Sequence, residues 1–111
     1  MGAAEFIKGA GGSLVSRNIL DRCGNIKWLN REESVNPADN GWRILSDVDT
    51  DEFLSDPDNM AVVDFNAMCG MEPALIGIYN LPVGSDIQLV VDLDGRRRWF
   101  DNHTGQEIQF K

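Results

Sequence analysis

Asp86 to Leu93 reads DIQLVVDL. Ile87, Leu89, Val91 and Leu93 fall on alternate positions, so they share one face of a strand. Asp94-Gly95 follows, a two-residue hairpin signal. That turn sets Asp92 opposite Arg97, Val90 opposite Trp99 and Leu89 opposite Phe100: one pair of opposite charge and two apolar pairs. A second turn at His103-Thr104-Gly105 then returns Glu107 to Phe110 to the sheet. Ile26–Arg31 (IKWLNR) alternates less strictly and predicts a strand with Ile26 and Trp28 on one face. Ser13–Ser16 and Trp42–Leu45 predict two more strands. The second of these is entered through Asn40-Gly41, where glycine supplies a positive φ. Met60–Phe65 (MAVVDF) is almost continuously apolar, which predicts a buried strand in the middle of the sheet.

The helical signals are short. Thr50 or Asp49 can cap a turn in which Asp51 and Glu52 favour the helix dipole. Asp56-Pro57 ends it, and Phe53 pins it to the surface. Asp64 or Asn66 can cap a turn through Met68 and Cys69. Pro73 opens a further short helix with Leu75, Ile76 and Tyr79 inward. Together these segments predict an α+β fold, a mostly antiparallel sheet with short helices packed on it. Residues 1–10 are small and Gly-rich and are expected to be flexible; residues 11–111 are expected to form one domain.

A chain of 111 residues buries about 65% of its unfolded surface, enough for one core. Neither a basic start with an apolar stretch nor a long apolar run is present, which predicts a cytoplasmic protein. Cys23 and Cys69 form no CxxC pair and read as reduced thiols. Charge changes the picture more. The net charge is −8, and the stretch Glu32–Asp64 holds ten acids and one base, Arg43. Six of the thirteen residues in DVDTDEFLSDPDN are acidic: Asp47, Asp49, Asp51, Glu52, Asp56 and Asp58. Such a field repels nucleic acid and anionic lipid and attracts cationic partners.

Candidate chemistry is sparse. Asp47, Asp49, Asp51 and Asp58 fall at positions 1, 3, 5 and 12 of a calcium loop, but Glu52 stands where the turn needs glycine, and position 12 is an aspartate. The single histidine, His103, sits in a turn, and Cys69 lies in an apolar setting that leaves a thiol inert. Zinc would need about four Cys and His ligands, and the chain offers three, scattered. Gly9–Ser13 lacks the GK[ST] ending of a phosphate loop. Alternation sends Arg97 to the opposite face from Arg96 and Arg98, the pattern of a solvated strand. No cofactor and no metal site is expected.

Four segments taken in order, GGSLVSRNIL, WLNREE, GWRILSDVDTDEFLSDPDNM and VVDFNAMC–EPALIGIYNLPVGS, resemble the immunity protein 33 family of small bacterial proteins, formerly a domain-of-unknown-function family. The resemblance covers about residues 11 to 86, and its most specific part is the separation of Gly41-Trp42-Arg43 from Pro57-Asp58-Asn59. It departs from the family at Lys27-Trp28-Leu29, where a tyrosine-containing strand is usual. It implies a non-catalytic, antitoxin-like protein of a polymorphic toxin system, encoded beside its toxin and binding it in the cytoplasm. On that reading the acids Asp47, Asp49, Asp51, Glu52, Asp56 and Asp58 meet a basic surface of the cognate toxin, with Trp42 and Arg43 as the anchor. Core packing is the other reading of Trp42. The alternatives are a peptide- or ligand-binding module and a divalent-cation-dependent enzyme.

Overall fold

Short turns and two kinds of strand pairing determine the architecture, described for residues 5–110 by a computed structural model. Six strands, β1 (Gly12–Ser16), β2 (Ile26–Arg31), β3 (Asp39–Ser46), β4 (Met60–Asp64), β5 (Asp86–Val91) and β6 (Arg97–Asp101), form one sheet in the order β4-β1-β3-β2-β5-β6. Only the β1–β3 pair is parallel. Three short α-helices, α1 (Arg17–Leu20), α2 (Asp51–Leu54) and α3 (Phe65–Met71), and 3-10 turns at Pro57–Asn59 and Pro73–Ile78 complete the domain. The expected single α+β domain is therefore observed.

One face of the sheet carries the core. Val15, Leu29, Trp42, Ile44, Ile87, Leu89 and Trp99 project from it onto Phe65, Met68, Cys69, Leu75 and Ile78. Both buried indoles keep a partner: Trp42 Nε1 donates to the Tyr79 carbonyl at 3.2 Å and Trp99 Nε1 to that of Ala74 at 3.3 Å. Burying the rings therefore leaves no orphaned N–H.

Several expectations need correction. β4 is not central but an edge strand, and Val62 in its middle is 77% exposed. Its apolar run divides between a half-buried side, Ala61 and Val63, and an exposed Val62. In β2 an irregularity between Ile26 and Trp28 breaks the alternation, so Leu29 faces the core and Trp28 the other side. The β5–β6 hairpin is shifted by one residue, because Asp92 N donates to Arg96 O and Gly95 N to Asp92 O. Those bonds close a three-residue loop, with Gly95 at φ +86° as its left-handed last residue. The shift sets Leu89 opposite Trp99, both buried, leaves Val91 exposed opposite Arg97, and puts Leu93 wholly exposed at the tip. After Pro73 the turn is 3-10, so with three residues per turn Leu75 and Ile78 are buried and Ile76 is exposed.

Asp64 precedes α3 without a side-chain cap, and Asn66 does something else. Its carboxamide accepts from Phe6 N and Ile7 N and donates to Ile7 O. Ala10 is buried, and its carbonyl accepts from Tyr79 Oη and Asn40 Nδ2. The part of the expected flexible segment between Phe6 and Ala10 is thus fastened to the domain; residues 1–4 lie outside the described residues.

Candidate partner-binding surface

The acid-rich connection from β3 to β4 is organised by its own side chains. Asp47 accepts from Asn25 N at 2.9 Å. Thr50 caps α2, its hydroxyl accepting from Phe53 N at 3.1 Å, with Asp51 and Glu52 in the first turn as expected. Asp56 caps the 3-10 turn by accepting from Asp58 N, and Asn59 Nδ2 donates to Phe53 O. The Asp58 carbonyl accepts from Arg17 Nε. These bonds hold Asp47, Asp51, Glu52, Asp56 and Asp58 exposed on a fixed backbone.

Asp49 belongs elsewhere. Its carboxylate accepts from Ser16 Oγ and Asn18 Nδ2 at 2.8 Å, and from Ser46 N and Ser46 Oγ at 2.7 Å. Both serines are wholly buried. Burial alone would push the Asp49 carboxyl up, and these hydrogen bonds outweigh it and hold it below the usual range.

Trp42 has no exposed surface and belongs to the core, so it offers a partner no anchor in this conformation. Arg43, 7% exposed, is held by Asp39 at 2.9 and 3.0 Å and by Glu32 at 3.1 Å. The Arg43 guanidinium keeps the Asp39 carboxyl far below the ordinary range. Sequence reasoning missed a second structural arginine. Arg31 donates to the carbonyls of Asn40, Tyr79 and Leu81, and its guanidinium lies 5.6 Å from the ring centres of both Trp42 and Tyr79. Only its place beside the Trp42 hairpin could have signalled this.

A groove of about 590 Å³ lies beside Asp47, lined by Ile19, Ile26, Leu89, Arg22, Lys27 and Arg97 among others. Arg22 there holds φ +60°. Its charges are partly engaged: Arg97 pairs with Glu72 at 3.1 Å, and Lys27 Nζ donates to the Leu89 carbonyl. Cys69 is buried and unpaired, and burial pushes its thiol up to about 11; Cys23 is exposed and also free. His103 is exposed, its Nε2 3.3 Å from Gly84 O. Among the described residues, no three His, Cys, Asp or Glu side chains come together in a metal-holding group. Among them, no helix is long and apolar enough to cross a membrane.

The sheet, its single helical layer and the exposed acidic connection define a small one-sheet α+β domain with a preformed charged loop. The chain belongs to the family of the Immunity protein Imm33 domain, whose model matches residues 13–99. That span runs beyond residue 86, where the resemblance read from the sequence fades, and takes in β5 and the first three residues of β6. No curated protein and no solved structure matches the chain.

Proposed function

We propose that this chain is a non-catalytic immunity protein that binds a cognate bacterial toxin in the cytoplasm and blocks it, without engaging nucleic acid or membrane. The observation that carries this reading is the family match across residues 13–99. An inhibitor of this kind needs no reactive group, only a surface that fits and a way to meet its target. The exposed carboxylates of Asp47, Asp51, Glu52, Asp56 and Asp58 supply the second requirement. A toxin with a basic active-site surface is steered by such a field, which raises the association rate more than the final affinity. Capping by Thr50 and Asp56 fixes the loop before encounter, so little ordering entropy is lost on docking.

The test uses Asp51, Glu52 and Asp58, whose side chains support no structural contact described above, and leaves Asp49 intact. The triple variant D51K/E52K/D58K should stay folded, its melt lowered only slightly by the reversed charges in the first turn of α2, and associate with the toxin about tenfold more slowly or worse at low salt. Its salt dependence should also flatten. Stopped-flow association with the toxic domain encoded by the adjacent gene reads both quantities. Unchanged rates would reduce the acidic connection to a solubilising surface.

A further inference from the structure

The two rims of the sheet are treated differently. Beyond β6 the chain returns and covers the edge, with Asp101 N donating to Gln106 O and Ile108 N to Trp99 O. β4, on the opposite rim, pairs only with β1. Phe65 N donates to Gly11 O at 2.9 Å, which continues that antiparallel ladder. In such a ladder both polar groups of a residue point to the same side and alternate along the strand. Val63 and Ala61 therefore turn their backbone groups toward β1, whereas Asp64 and Val62 turn theirs outward. Exposed edges are ordinarily blunted by lysine, proline, a bulge or a cover. Met60–Asp64 is short and carries one charge, Asp64 at its end, but it contains neither lysine nor proline, and its register with β1 is unbroken.

Beside this rim lies a cleft of about 180 Å³ lined by Leu14, Val35, Ala38 and Val62, with Asp39 and Arg43 at its polar side. Val35 and Val62 are 78% and 77% exposed. The flanking charges are predominantly acidic. Asp56 and Asp58 precede the strand and Asp64 ends it, all exposed, against one nearby cation, Arg17, whose Nε donates to the Asp58 carbonyl.

We propose that β4 is a docking edge: an extended segment of the cationic toxin adds to the sheet as a seventh strand and seats one aliphatic side chain in the Leu14–Val35–Val62 cleft. In this mode main-chain bonds give affinity and the side pocket gives selectivity. The carboxylates at both ends favour lysine or arginine flanking the aliphatic residue. A second copy of this chain fits less well, because each copy carries −8 and self-pairing about Val62 would bring Asp64 of each toward Met60 and Asp58 of the other. The inference rests on the toxin-binding reading and says where the toxin's chain lies.

Two measurements with the toxic domain of the adjacent gene test it. Val62→Pro removes the outward N–H, which an edge strand tolerates, and leaves the β1 ladder intact. It should keep a cooperative melt and weaken binding about tenfold, whereas Val62→Thr, which keeps the N–H and alters only the cleft wall, should weaken it by less. Amide exchange on the unaltered chain covers the case in which the proline variant fails to fold. The Val62 and Asp64 amides should exchange freely alone and slow about tenfold or more in the complex. Tight toxin binding without that protection, or with undiminished affinity in Val62→Pro, overturns the edge reading and leaves the function standing. Failure of the parent chain to bind the toxin overturns the function first. Protection of Val62 in a dimer of the free chain would award the edge to a second copy.

Discussion

Asp49 stands in a run of acids and is unlike its neighbours. It gathers hydroxyls from two strands, an asparagine from α1 and a main-chain N–H, while the others face water. Asp49→Ala leaves the buried Ser16 and Ser46 hydroxyls without an acceptor and should cost roughly 2–4 kcal/mol in urea unfolding, with Asp49→Asn intermediate. A loss under about 0.5 kcal/mol would show that water replaces the carboxylate. The sequence could not separate Asp49 from Asp47 or Asp51, because composition reports charge and not the partner. Trp42 shows the same limit from the other side. An indole beside an arginine reads equally as an anchor or as core, and only the Tyr79 carbonyl and the ring's full burial decide.

At the scale of elements, strand positions were legible and strand environments were not. β1, β2, β3, β5 and β6 lie close to where alternation put them, since the side-chain period of two is imprinted on the residues. The place of β4 was lost because a four-residue apolar run, Met60–Val63, looks alike in the centre and at an edge. The hairpin register was lost because Asp94-Gly95 serves a two-residue and a three-residue loop alike, and burial of Trp99 selects the second. Two glycines make contrasting predictions. Gly95 sits at φ +86° with only the Arg97 guanidinium at 4.0 Å from an added Cβ, so Gly95→Ala should cost roughly 1 kcal/mol. Gly41, at φ +87°, would drive a Cβ into the Glu32 carbonyl oxygen, which itself belongs to the β2–β3 connection. Gly41→Ala should therefore cost more than about 3 kcal/mol. Thermal melts of the two variants check the order, and equal shifts would contradict it.

For the whole molecule, acid is the condition that reports these contacts together. Asp39, Asp49 and Glu107 all have folded values below their unfolded ones, the first and last through Arg43 and Arg98 and the second through its hydrogen bonds. Their contribution is complete above the ordinary carboxylate range near pH 4 and is lost as pH falls below it toward the folded values. Stability should fall steeply there, and D39N/D49N should be weaker at pH 7 with a shallower acid slope. Urea midpoints across pH 2.5 to 7 measure both; a parallel slope in the variant would assign acid loss to other groups. The strand order carries a consequence for the living cell. β1 has neighbours only in β3 and β4, so the ribosome releases it long before it can be clasped. At roughly 5–20 residues per second, the wait for Met60–Asp64 lasts roughly 2–10 seconds. On the immunity function proposed above, a newly made copy is thus no shield during that interval, and a producer that stops translation must rely on copies already finished.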